Sequence, residues 1–302
     1  MKRILFQLVA SSVLTACVSF AQNGGQTGLT FLQLGVGARS LGMGEAYTAI
    51  GGDGAAMYYN PATLSSCDHP EILLMHKEWI QDVQTEYLGA LVPAGSMNLG
   101  ISVNSTSINN IELRTVPGPP LETFSARNAA IGFSAAYAFD ARFSLGATVK
   151  TLYEKILVDE SSGIGFDIGA VYSTPWRVRV GAALQNLGSV SALRDEASTL
   201  PRILRIGGAY SAGVGDSGGT FTVSSDIVSI TNENTTHVHF GGEYVFREAF
   251  ALRFGYQTGY ETKSISAGAG VRYGMLGLDY AFVPFRSDFG TTHTFSLAID
   301  FQ

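Results

Sequence analysis

Gly215-Asp216-Ser217-Gly218-Gly219 copies the nucleophile motif of one class of serine protease. A serine nucleophile needs a histidine base held by a carboxylate, together with an oxyanion hole. Here the five residues fall in a predicted tight connection between strands, with no histidine in a recognisable setting, so they read as turn residues. His237 and His239 are two apart and could share one face of a strand, but nothing nearby completes a metal set. Gly35-x-Gly37 and Gly42-x-Gly44 lack the third glycine and the strand-to-helix setting of a dinucleotide loop. The sequence therefore predicts no catalytic residue, no metal and no cofactor. A net charge of −6 gives no basic footprint for nucleic acid.

The remaining charges matter for where they point. Asp167 with Arg179, Glu243 with Arg253, and Arg272 with Asp279 lie on neighbouring predicted strands across short turns, where opposite or diagonal positions bring side chains together. Either they form ion pairs that narrow a lumen, or they balance charge in a wide water-filled interior. Both readings require strands whose polar face looks inward.

Such strands are legible from about Glu71 to the end. His293, Phe295, Leu297, Ile299 and Phe301 alternate with Thr294, Ser296, Ala298 and Asp300, and Phe250/Leu252/Phe254/Tyr256 alternate with Ala251/Arg253/Gly255. Successive side chains of a strand leave opposite faces, so one face is apolar and the other carries Gly, Ser, Ala and single charges. About fourteen segments of this kind are found, with aromatic residues near many of their ends. Lipid outside and a polar lumen inside produce this pattern. Connection lengths agree. Pro93-Ala94-Gly95, Asp140-Ala141, Pro175-Trp176, Arg247-Glu248 and Gly274 are short, whereas Asn109 to Glu122, Leu187 to Pro201 and Phe285 to Thr291 run longer. The fold class is all-β: a transmembrane antiparallel barrel of about fourteen strands. Its first and last strands must pair, because an open edge leaves backbone groups unsatisfied in hydrocarbon.

The first 21 residues read as a secretory signal peptide, with a basic Met1-Lys2-Arg3, a mainly apolar Ile4 to Ala16, and small residues around Ala21. Leu14-Thr15-Ala16-Cys17 also resembles a lipoprotein box, which would lipidate Cys17. Ordinary cleavage would leave Cys67 alone, so no intrachain disulfide is expected. Charged residues make up 15% of the chain and hydrophobic ones 46%, which excludes a disordered chain, and the 36 glycines are an excess to be explained.

Residues 22–69 break the alternation and form a separate segment ahead of the barrel at 70–302. Within it run Gly37-Ala38-Arg39-Ser40-Leu41-Gly42-Met43-Gly44-Glu45-Ala46, then Asp53, then Tyr59-Asn60-Pro61-Ala62. With Phe31-Leu32 upstream and Trp79 and Tyr87 downstream, this stretch resembles the PorV/PorQ family of outer-membrane proteins, within the wider FadL-like barrels. The resemblance implies an N-terminal hatch inside the barrel, with Asn60, Pro61, Ala62, Arg39 and Asp53 in the lumen. It also implies a place in the bacterial outer membrane, in contact with its lipid. PorV-type proteins are parts of type IX secretion that receive protein cargo, and FadL-type proteins pass hydrophobic compounds inward. The leading expectation is a secretion-associated barrel that docks cargo or secretion-system components through its outer loops, because the inward charges suit docking better than an apolar path. The alternative is a FadL-like channel for hydrophobic compounds.

Overall fold

A computed structural model describes residues 27–79, 82–194, 198–215, 218–286 and 290–301. The signal peptide and Cys17 lie outside the described residues, as do Asp216 and Ser217 of the protease-like motif.

Fourteen strands form one closed antiparallel sheet in simple sequence order. They are β1 (Glu71–Glu78), β2 (Val83–Ala94), β3 (Met97–Leu113), β4 (Glu122–Ala138), β5 (Phe143–Ile156), β6 (Asp159–Ser173) and β7 (Val178–Val190), followed by β8 (Ile203–Val214), β9 (Gly219–Ile230), β10 (Thr235–Phe246), β11 (Phe250–Gln257), β12 (Ile265–Tyr273), β13 (Leu276–Pro284) and β14 (Thr291–Asp300). The ring closes between β1 and β14, in register from Glu71↔Asp300 to Glu78↔His293. Closure pairs the backbone groups that an edge strand would expose to lipid.

The exposure pattern is the reverse of that in a water-soluble sheet. On β11, Leu252 and Phe254 are 66% and 59% exposed, while Arg253 between them is 5% exposed. On β14, Phe295 is 56% exposed and its neighbour Thr294 is fully buried. Apolar side chains cover the outside of the wall and polar ones line the inside, as lipid on one side and an enclosed interior on the other require.

The connections at one end are short turns, and in barrels of this kind that end faces the periplasm. Two expectations about the other end need correction. β3 and β4 continue past a bulge near Ile108 and pair as far as Leu113↔Glu122, so the Asn109 to Glu122 connection is only 114–121. Likewise β7 runs to Val190 and takes in Leu187. These rungs rise beyond the apolar belt, where the outward face no longer needs to be apolar (Ser105, Ser107, Asn109) and the alternation fades although pairing continues. Long loops are also not universal there, since Leu157-Val158 alone joins β5 to β6.

Candidate functional site

The lumen is filled by the segment ahead of β1, which descends from the loop end to the turn end. Thr27 bridges to Thr199 near the loops, and a short turn of 3-10 helix spans Thr30–Gln33. Two single-turn helices follow, α1 (Ala38–Gly42) and α2 (Ala56–Tyr59), and a second 3-10 turn at Pro61–Ser66 leads into β1. Helices this short are not stable alone, so the surrounding wall must hold them.

Asn60 is a central fastener. Its backbone is extended, its Oδ1 accepts from Ala62 N at 3.1 Å, and its Nδ2 donates to Thr48 O at 2.8 Å and to Ala170 O on β6 at 3.1 Å. Pro61 opens the following turn, where a missing N–H leaves nothing unsatisfied. Asn60, Pro61 and Ala62 are all buried in the lumen.

The wall accommodates this backbone with glycine. A β-carbon at Gly169 would land on Asn60 Oδ1, one at Gly146 on the Pro61–Ala62 peptide, and one at Gly255 on Gly44 N. Gly181, Gly241 and Gly268 meet hatch backbone in the same way. Much of the glycine excess is thus an inward-facing seat against which the plug lies backbone to backbone.

Inward polar side chains complete the seat. Asp226 on β9 accepts from Tyr47 N at 2.8 Å, Thr48 N at 2.8 Å and Thr48 Oγ1 at 2.6 Å. Asn98 on β3 donates to Leu64 O at 2.6 Å and Cys67 O at 2.8 Å, and Lys77 Nζ on β1 donates to Gly35 O at 2.8 Å. None of these wall residues stands out in the sequence, because their partners are mainly backbone groups of the hatch, which side-chain types do not reveal.

The charges form a network that differs in part from expectation. Glu243 and Arg253 face each other across β10 and β11 and bond at 2.6 Å. Arg253 also bonds Asp279 at 2.6 Å, and Arg39 of the hatch joins at 2.7 Å to Glu243 and 3.3 Å to Asp53. Tyr47 OH donates to Asp53 as well. Arg272 does not pair with Asp279, because the register sets Gly270 opposite Asp279, and Arg272 meets Asp300 at 3.1 Å instead. Asp167 does not pair with Arg179 either. The register sets Ser173 opposite Arg179, while Asp167 lies at a bulge higher on β6, bonded to Lys150 at 2.9 Å and Asn186 N at 2.7 Å. Arg179 reaches Ser66 Oγ at 2.8 Å.

At the loop end a cavity of about 350 Å³ remains between hatch and wall. Phe31, Leu34 and Leu41 line it from the hatch, and Trp79, Val83, Ile108 and Phe285 from the wall. Trp79 and Phe285 meet edge to face with centroids 6.1 Å apart. Its polar groups include Lys77, Gln257 and the Glu45–Lys263 pair at 2.9 Å. Burial works against the Glu45 charge, but Lys263, by charge and hydrogen bond, outweighs it together with His239 and Arg205 and holds the carboxyl well below the usual carboxylate range. His237 stacks on Tyr260 at 3.8 Å between centroids, and His239 Nε2 lies 3.1 Å from Tyr260 OH, so both imidazoles serve the wall beside this cavity.

A closed fourteen-strand wall, an apolar outer belt and a plug descending through the lumen define a transmembrane β-barrel of the outer-membrane type with an internal hatch. The chain belongs to the uncharacterised protein family UPF0164, whose model matches residues 7–166. The fold is similar to the Pseudomonas putida toluene transporter TodX (14% identity, TM-score 0.62, covering 88% of this chain and 97% of that one). It is also similar to the CymD monoaromatic hydrocarbon channel (15%, 0.59, 89% and 98%) and to a Pseudomonas aeruginosa FadL homologue (13%, 0.53, 88% and 98%). No curated protein matches the chain.

Proposed function

We propose that the chain is a FadL-like outer-membrane channel that admits small hydrophobic compounds. The cavity at the loop end carries this reading. At about 350 Å³ it has the size of a small-ligand site, with an apolar portion formed by Phe31, Leu34, Trp79, Ile108 and Phe285 among polar groups that could orient a ligand. It also lies where a solute from outside would first meet the hatch. The fold shared with a monoaromatic hydrocarbon channel and a toluene transporter supports solutes of single-ring size. Beneath the cavity the hatch occupies the lumen, so passage requires part of the hatch to move.

A second reading, a PorV/PorQ-type barrel that docks protein cargo or secretion components through its loops, is favoured by one observation. The lower lumen is crossed by the Arg39–Glu243–Arg253–Asp279 network, which obstructs an apolar solute and is no obstacle to surface docking. Purification of the full chain from intact outer membranes, with mass spectrometry of everything that accompanies it, separates the two. Hydrophobic small molecules without a protein companion support the channel. A stoichiometric protein companion with no such molecules would overturn it in favour of docking.

A further inference from the structure

We infer that the turn end of the lumen holds a second ligand site, an oxyanion pocket for the carboxylate or phosphate group of a small molecule. The site is a cavity of about 350 Å³ bounded by Ala49–Gly51 of the hatch, the β6–β7 turn, and Ser211 and Thr222 of the wall. It lies at the opposite end of the lumen from the apolar cavity, and the inference does not depend on what that cavity admits.

Three guanidinium groups line it: Arg39, Arg177 and Arg179. Arg39 is already engaged, bonded to Glu243 and Asp53 on its far side. Arg177 and Arg179 are different. Among the described residues no carboxylate meets either of them within ion-pair distance. Arg179 gives one hydrogen bond, to Ser66 Oγ at 2.8 Å, and its Nε is buried without a partner. Arg179 is half-buried, and a guanidinium whose Nε is shut away from solvent without counter-charge or partner is costly unless something supplies them.

An oxyanion fits what is missing. A planar guanidinium binds carboxylate or phosphate through two parallel N–H donors, and Arg177 on the exposed turn adds a second positive charge at the mouth. Ser211 and Thr222 hydroxyls lie 2.9 Å apart on the opposite side, where only one of the two needs to donate to the other. The remaining hydroxyl hydrogen is free for the ligand.

The test is calorimetric titration of the full chain in detergent micelles with inorganic phosphate, acetate, and water-soluble dihexanoyl phosphatidylglycerol, in a low-salt buffer. Saturable binding with a Kd of about 1 mM or tighter is expected for at least one of them. Phosphate or acetate binding identifies a free solute as the source, and phosphatidylglycerol alone identifies a lipid headgroup. Arg179→Gln should weaken binding by roughly tenfold or more, as loss of a charge-assisted pair does, and Arg179→Lys should restore part of it. Arg142→Gln removes an exposed arginine from the adjacent turn, outside the cavity, and should leave binding unchanged. Heat-modifiable gel mobility verifies that each variant is folded. No saturable binding of any probe, or equal losses in Arg179→Gln and Arg142→Gln, overturns the site.

Discussion

The two ends of the lumen are built from the same strands with the same alternation, yet they present opposite chemistry to the hatch. Toward the loops, Trp79, Val83, Ile108 and Phe285 surround a space that the hatch leaves open. Toward the turns, Arg253, Glu243 and Asp279 are drawn tightly onto Arg39. Alternation decides only which side chains point inward. What those side chains are differs with level: at one end they border a cavity that the hatch leaves open, at the other they grip a fixed polar backbone. The glycines between the two ends mark where the wall touches that backbone.

The comparison is broken most forcefully from the charged end. Arg253→Leu leaves Asp279 without its partner and Glu243 with Arg39 alone, and should destabilise the barrel by about 3–5 kcal/mol, as loss of one member of a buried pair does. Denaturant unfolding in micelles measures this, and a loss as small as that of an exposed pair would mean that the network is solvated. Gly169→Val sets side-chain atoms where Asn60 lies and should cost about 1–3 kcal/mol through overpacking. Limited proteolysis should then cut the hatch before the barrel.

The open end should respond in the opposite way. Trp79→Ala should weaken binding of a small hydrophobic probe by roughly tenfold, as removal of a buried aromatic anchor does, while unfolding midpoints stay close to wild type. Equal losses in binding and stability would erase the distinction between the ends. The smallest effect concerns Glu45. Its carboxyl titrates well below the usual range in the folded chain because Lys263, His239 and Arg205 together outweigh its burial, so its contribution is complete above the unfolded value of about 4.3 and declines as pH falls below it. Glu45→Gln should therefore show a shallower loss of stability between about pH 5 and pH 3 than wild type, measured by thermal unfolding across that interval.

The barrel was largely legible because a strand between lipid and a polar interior must alternate. Closure of β1 on β14 followed from the requirement that no backbone be left unpaired in hydrocarbon. Legibility failed above the belt, where Ser105, Ser107 and Asn109 succeed one another on the outward side although pairing continues to Leu113. Inside the lumen it failed where contacts depend on register. Glu243 and Arg253 could be matched because they sit directly opposite, whereas Asp167 lies well along β6 from Ser173, the residue opposite Arg179, and so is beyond diagonal reach with or without the bulge. Asp226 was invisible for another reason: its partners are peptide N–H groups of Tyr47 and Thr48, which have no signature in side-chain types.

Uptake of a radiolabelled single-ring hydrophobic solute, by cells whose only route for it is this protein, tests the channel reading most directly. Cells carrying the wild-type chain should take it up several-fold faster than cells without it, and Trp79→Glu, which sets a charge in the apolar cavity, should abolish that difference. Equal uptake with and without the protein, at matched amounts of folded barrel in the outer membrane, would contradict the account.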